Sequence, residues 1–108
     1  MKKTVDIGDF SKIPFGRTPE DGKYCAQNFR KKILVPALNE YDEVEVLLDN
    51  VEADYEYGSS FLHEAFGGLV QHEKFEVDVL DKKLRIVTSY EDIKAESWDY
   101  IHAPDKYQ

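Results

Sequence analysis

VEVLLDNVEADYEYGSSFLHEAFGGLVQ, residues 44–71, holds a strand, a loop and a helix, and its reading decides the fold. In residues 43–49 Val44, Val46 and Leu48 share one face, the period-2 pattern of a strand. Leu47 makes the opposite face partly apolar, as in a central strand of an α/β sheet. Asp49 ends the strand, and the loop 50–58 alternates Glu52, Asp54 and Glu56 with Tyr55 and Tyr57. Ser59 and Ser60 then open a helix over 61–71. Its Phe61, Leu62, Ala65, Phe66, Leu69 and Val70 form a wide apolar face that must be buried. Gly67 and Gly68 each cost the helix roughly 1 kcal/mol, so a close approach to a neighbouring element is expected there. A strand leading through a loop to a helix N-terminus is where α/β proteins usually place working groups.

Upstream, Val5 and Ile7 alternate with Asp6 in a short first strand over 4–10, broken by Pro14 and Gly16. Thr18-Pro19-Glu20-Asp21 reads as a helix start: a capping hydroxyl, a proline at the first position and two acids at the positive end of the dipole. Ala26, Phe29, Ile33 and Ala37, widened by Leu34, Leu38 and Tyr41, carry that helix to about Asn39. Gly22 and Pro36 oppose a regular helix, so either a late start near Gly22 or a bend near Lys32 is expected. Arg30, Lys31 and Lys32 form a basic run, with Arg17 and Lys23 nearby in sequence. Such a run suits a solvated helix face, a phosphate or an acidic partner.

Downstream, residues 75–83 fit strand and helix equally by periodicity. Residues 84–88, LRIVT, make a branched, strand-forming run. Ser89 and Asp92 read as a capping-box variant opening a last helix over 90–101, with Ile93, Trp98, Tyr90 and Ile101 on its buried face; Pro104 stops it before a polar tail. The order predicts a single domain over 1–108: a small α/β sandwich of about three to four strands, mixed or parallel, packed against about four helices.

Composition narrows the function. The formal charge is −8, from 22 acids against 14 bases, which disfavours nonspecific binding to nucleic acid or anionic membrane. No segment approaches the roughly 20 apolar residues of a membrane span, and the start MKKTVDIGDF lacks the apolar core of a signal peptide. With a single cysteine, Cys25, no internal disulfide forms, and a cytoplasmic protein is expected.

The chemistry of common catalytic motifs is missing. His63, His72 and His102 share no metal-ligand spacing, and there is no HExxH helix, phosphate loop or nucleophile elbow. No metal, cofactor or catalytic residue is assigned. A Ser60-His63-Asp49 triad can be drawn only on paper. Asp49, at a strand's carboxyl end, admits two active roles, an aspartyl phosphoacceptor or a magnesium ligand with Asp54 and Glu56, beside the plain role of a strand-ending acid. Ser59 and Ser60 lie where unsatisfied backbone N–H groups would stabilise a phosphate, and where an unmodified serine would cap the helix for about 1 kcal/mol.

The segment LLD, a loop and then GSSFLHEAFGGLV resembles the STAS-like domains of small bacterial and phage proteins. The likeness rests on Ser59, Ser60, Phe61, Leu62, Glu64, Ala65, Phe66, Gly67, Gly68 and Leu69. It extends to the first strand, to Asn28-Phe29-Arg30 and to Leu84-Arg85-Ile86-Val87. It implies a short helix at 77–83. It also implies similarity to anti-sigma factor antagonists, which carry a phosphorylatable serine between strand and helix and dock on serine kinases of the histidine-kinase ATPase fold. Ser60 matches that serine, because Ser59-Ser60, one residue and Leu62 resemble a Ser-Ser-Gly-Leu motif. Gly58 and Phe61 depart from it, standing where those proteins have Asp and Gly.

The resemblance therefore implies a non-enzymatic interaction module that is regulated at Ser60 or Ser59. Its partner would meet Asp49, Asp54, Tyr55, Glu56, Tyr57, Ser60 and His63. Two rivals are an acidic phage or mobile-element inhibitor of a nucleic-acid-binding enzyme, and a metal-dependent phosphotransfer domain using Asp49.

Overall fold

Three strands run side by side in sequence order in the computed structural model, which describes residues 1–107: β1 (Lys2–Asp6), β2 (Glu43–Leu47) and β3 (Leu84–Val87). Both pairings are parallel, with Val5 opposite Val46 and Val46 opposite Ile86. Parallel neighbours need crossovers, and helices supply them. The first crossover contains α1 (Ile7–Phe10) and α2 (26–40); the second contains α3 (59–71) and α4 (Val77–Lys83); α5 (Glu91–His102) closes the described chain before a 3-10 turn at Pro104–Tyr107. Among the described residues the count is thus three strands and five α-helices, with β2 central. Gln108, the end of the polar tail, lies outside the described residues.

The helices pack on the sheet face that carries Val5, Val44, Val46, Leu84 and Ile86, all buried. The other face carries Lys2, Thr4, Glu43, Glu45, Leu47, Arg85 and Val87, all half-buried or exposed. Parallel sheets are usually covered on both faces. Here Leu47 does not signal a second cover. The open face is instead knitted by polar pairs, Lys2 Nζ to Glu45 at 3.6 Å and the Thr4 hydroxyl donating to Glu45 at 3.3 Å.

Two expected boundaries move, and the disturbance expected near Lys32 is present, each for a local reason. β1 ends at Asp6, not near residue 10, because the Asp6 carboxylate accepts from the Gly8 N–H at 2.8 Å and turns Ile7–Phe10 into one helical turn. Thr18-Pro19-Glu20-Asp21 forms only a 3-10 turn. Gly22, at φ +138°, breaks away, and α2 begins at Ala26. Pro36 is then accommodated by a π turn at Arg30–Leu34, in which the Val35 N–H reaches back five residues to the Arg30 carbonyl. A proline ring crowds the carbonyl four residues back, here Lys32, and the widened turn falls over that position.

Helix α3 is the core. Nine consecutive residues, 61–69, are buried, so this helix is enclosed on all sides rather than lying on a surface. It too contains a π turn, His63–Gly67. The two glycines answer to different neighbours. A Cβ on Gly67 would stand 3.1 Å from the Tyr100 carbonyl oxygen of α5, and one on Gly68 would stand 2.2 Å from Nη1 of Arg30 on α2. The ambiguous residues 77–83 are helical. Lys82 and Lys83 sit in the last turn of α4, favourable to its dipole, and β3 follows at once.

Candidate functional site at the carboxyl edge of the sheet

The three strands end in polar residues that hold each other. Asp6, the last residue of β1, accepts from the Asn50 amide at 2.7 Å. Asp49, after β2, accepts from the Thr88 hydroxyl at 2.6 Å and from the Ser89 N–H at 2.8 Å, both after β3. Burial of Asp49 pushes its carboxyl up, but the bonds from Thr88 and Ser89 outweigh this and leave its pKa lowered. Both oxygens are engaged, so Asp49 braces two strand ends. Among the described residues no three His, Cys, Asp or Glu side chains are grouped to hold a metal, so Asp49, Asp54 and Glu56 are not brought together as a magnesium site. Asp49→Ala is expected to lower stability by about 1 kcal/mol through two lost hydrogen bonds, read from the urea midpoint.

Ser89 is spent in that brace. Helix α5 therefore starts after Tyr90 with no side-chain cap, and the expected Ser89–Asp92 capping box does not form.

The loop 50–58 is anchored by its tyrosines. Tyr57 donates its hydroxyl to the Leu48 carbonyl at 2.6 Å, and Tyr55 donates to the Pro14 carbonyl. Their rings meet edge to face with centroids 4.9 Å apart. Burial pushes the Tyr55 phenol up to about 12. Tyr57 is raised further by burial and then by the nearby Tyr55, Asp49 and Asp6. Both hydroxyls are thus held as donors, and both half-buried rings anchor the loop. Asp54 and Glu56 remain exposed.

Ser59 and Ser60 occupy the first two positions of α3 behind an N-cap that is Gly58, and neither caps the helix. Both are exposed, and neither hydroxyl has a hydrogen-bond partner among the described residues. Phe61, standing where the antagonists have Gly, turns inward. Its ring is buried and lies 6.5 Å from Phe29 and 6.1 Å from Tyr57. The serine hydroxyls are therefore left clear of it.

His63 is not a surface residue. It is buried, its Nδ1 accepts from Arg17 Nη1 at 3.0 Å, and its Nε2–H donates to the Pro104 carbonyl at 2.9 Å. An arginine can only donate and a carbonyl can only accept, so the ring is neutral with its proton on Nε2. With both nitrogens committed, His63 can neither serve as a base for Ser60 nor meet a partner.

Beside it runs an ion-pair network that sequence reading missed. Arg30 is 2% exposed. Its Nη1 donates to the Glu64 carbonyl at 2.6 Å and to the Glu64 carboxylate at 2.7 Å, and its Nε donates to Glu73 at 2.8 Å. Arg17 reaches the other Glu64 oxygen at 3.2 Å. Arg30 thus leaves the expected solvated basic face and becomes a core residue. A signal was present: it falls between Ala26 and Leu34, four residues from each, on the apolar stripe.

Burial raises the Glu64 pKa, but hydrogen bonding and charge from Arg30, and then the bond from Arg17, outweigh it and leave a lowered value. A depressed carboxylate contributes stability that is complete above its unfolded pKa, near 4.5, and is lost as pH falls through the folded value. Urea midpoints measured down a pH series should therefore fall below about pH 4.5 in the parent and fall less steeply in Glu64→Gln.

The comparisons with known proteins bear on this arrangement. Residues 26–94 match the model of a family described as a STAS-like domain of unknown function (DUF4325). The chain belongs to that family. No curated protein and no solved structure gave a match. The matched part of the STAS-like domain runs from the start of α2 into the first turn of α5. It includes the Asp49 brace, the serines and the Arg30–Glu64–Glu73 network, while the loop carrying Arg17 lies before it. No helix of the described STAS-like domain is long and apolar enough to cross a membrane.

Proposed function

We propose that this STAS-like domain is a non-enzymatic regulatory module. It binds a protein partner at the carboxyl edge of its sheet, with Ser60 as the phosphoacceptor that switches binding. The observation that carries this reading is the state of the two serines. The other polar groups at the strand ends are consumed in bracing: Asp6, Asp49, Asn50, Thr88, Tyr55 and Tyr57 all have partners. Ser59 and Ser60 alone among these are exposed and uncommitted, on the first turn of the most deeply buried helix. A phosphate there would meet unsatisfied N–H groups and the positive end of the helix. Asp54 and Glu56 next to it give the partner-facing loop a negative rim.

The partner class that family likeness to anti-sigma factor antagonists favours is a serine kinase of the histidine-kinase ATPase fold. Ser60→Asp should weaken binding to such a partner by about tenfold or more, and Ser60→Ala should preserve it, as read by isothermal titration. Equal binding by both variants would remove the switch. A magnesium-dependent heat abolished by Asp49→Asn would favour phosphotransfer at Asp49 instead.

A further inference from the structure

We propose that the free edge of β1 pairs with the same edge of a second copy, forming an antiparallel dimer whose two-fold axis passes through Thr4. This surface uses neither serine, and the dimer does not depend on the serine switch.

β1 is an outer strand, bonded on one side only, to β2. The Glu43 N–H donates to the Met1 carbonyl at 3.3 Å. A parallel ladder alternates from there, so Met1, Lys3 and Val5 turn their peptide groups toward β2. The N–H groups of Lys2, Thr4 and Asp6 and the carbonyls of Lys2 and Thr4 turn outward, where no other segment of the described chain bonds to them. Lys2, Lys3 and Thr4 are exposed, so no loop covers this edge. An uncovered row of donors and acceptors is a template for another strand.

Charge decides which strand and which direction. β1 reads Lys2-Lys3-Thr4-Val5-Asp6, cationic at its start and anionic at its end. In-register parallel pairing with a second copy would set like charge on like. Antiparallel pairing about Thr4 sets Lys2 opposite Asp6 on both sides of the axis, all on the open face of the sheet. In that register each Thr4 N–H donates to the other Thr4 carbonyl, and each Asp6 N–H donates to the Lys2 carbonyl across from it. The Asp6 carboxylate has only neutral donors within its own copy, the Gly8 N–H and the Asn50 amide, so the second copy would supply its cation.

The helix layer repeats the pattern. A groove of about 370 Å³ separates β1 from α2, with Val5, Ile33 and Ala37 in its apolar lining. Lys32, Pro36 and Glu40 follow each other at four-residue intervals along its α2 wall, all exposed. The helix runs back along the strand. Lys3 lies over the ring of Tyr41, next to Glu40, at 5.9 Å from its centroid, and Phe10, beyond Asp6, packs on Phe29 near the other end of α2. Glu40 therefore stands at the Lys2 end and Lys32 at the Asp6 end, and neither has an ion-pair partner among the described residues. The axis through Thr4 passes Pro36 and brings Lys32 toward Glu40 of the second copy, and the reverse. Lys3 and Asp9, at opposite ends of the groove, are matched in the same way. Lys2, Lys3 and Lys32 thus balance Asp6, Asp9 and Glu40, which leaves no excess sign to recruit a foreign partner but suits a self-complementary contact. The net charge of −8 opposes association at low salt, and physiological salt screens it beyond about 8 Å.

Sedimentation velocity of the full chain at about 0.15 M salt, from about 5 to about 500 µM, should show a monomer–dimer equilibrium. Thr4→Pro removes an outward N–H while sparing those that bond to β2, and it should raise the dissociation constant about tenfold or more. Lys32→Glu should raise it about tenfold, because symmetry counts the change twice. Lys32→Glu combined with Glu40→Lys should return it to within about threefold of the parent. Within one copy these two residues are eight positions apart, so only pairing between copies gives that rescue. Should the melting curve show that Thr4→Pro fails to fold, the exchange at the exposed helix positions still decides. The proposal is overturned by a chain that stays monomeric throughout, by assemblies that grow beyond two copies, by a dimer indifferent to a folded Thr4→Pro, or by an exchange no tighter than Lys32→Glu alone.

Discussion

Replacing Arg30 with alanine is expected to lower stability by about 3–5 kcal/mol, a large part of what a domain of this size has. The side chain is buried, and its removal leaves the enclosed Glu64 carboxylate with Arg17 at 3.2 Å and the His72 ring at 3.9 Å, while Glu73 loses its 2.8 Å bond. The cost comes from the charges left behind more than from the pair itself, since a buried pair recovers little more than its desolvation. A double variant separates the two. Arg30→Met with Glu64→Met removes both charges, and it should be more stable than Glu64 facing alanine by at least about 2 kcal/mol. Urea unfolding of the singles and the double gives the coupling energy directly.

Gly68→Ala carries the second large effect. In an exposed helix this change would stabilise by roughly 1 kcal/mol. Here the new methyl would sit 2.2 Å from the Arg30 guanidinium, which cannot swing aside without leaving Glu64 and Glu73. A net loss of about 2–3 kcal/mol is expected, from overpacking and a disturbed ion pair together. The same substitution in an Arg30→Met background should lose much of its cost. If Gly68→Ala is as damaging there, the glycine serves something other than the arginine.

Much of this architecture was legible in residues 44–71. Val44, Val46 and Leu48 are all buried, and the apolar face of residues 61–70 becomes the buried face of α3. The glycine pair signals a close approach, and the helix is approached there on two sides. The helix at Val77–Lys83 follows the family resemblance, and of the two sheet arrangements expected, mixed or parallel, the parallel one is formed. Other features lay beyond periodicity. Arg30 reads as surface because arginine usually is, and only its partners Glu64 and Glu73, 34 and 43 residues away, make it core. His63 and Glu64 interrupt an apolar run and look like its wet side, yet the helix has no wet side there. Local chemistry also misled. Ser59 and Ser60 have the composition of a cap, but Gly58 takes the cap position and sets both hydroxyls free. The loop 11–25 reads as a break because much of its order comes from Tyr55 and His63, about 40 residues away, rather than from a local pattern.

The π turns of α2 and α3 amount to counting errors that the fold depends on. A π turn is one residue more than an α-helix needs over the same rise, so everything after it is rotated by about 100° relative to everything before. In α3 this decouples the two ends: Ser59–Leu62 is phased by the loop and sheet, Gly68–Gln71 by Arg30 and the elements that follow. Forcing the same residues His63–Gly67 into a regular α-helix would turn Gly68 by about 100° and put it out of phase with the guanidinium it accommodates. The helix would be more ordinary and the protein less stable. Length in this segment is therefore as much a part of the sequence's message as residue identity.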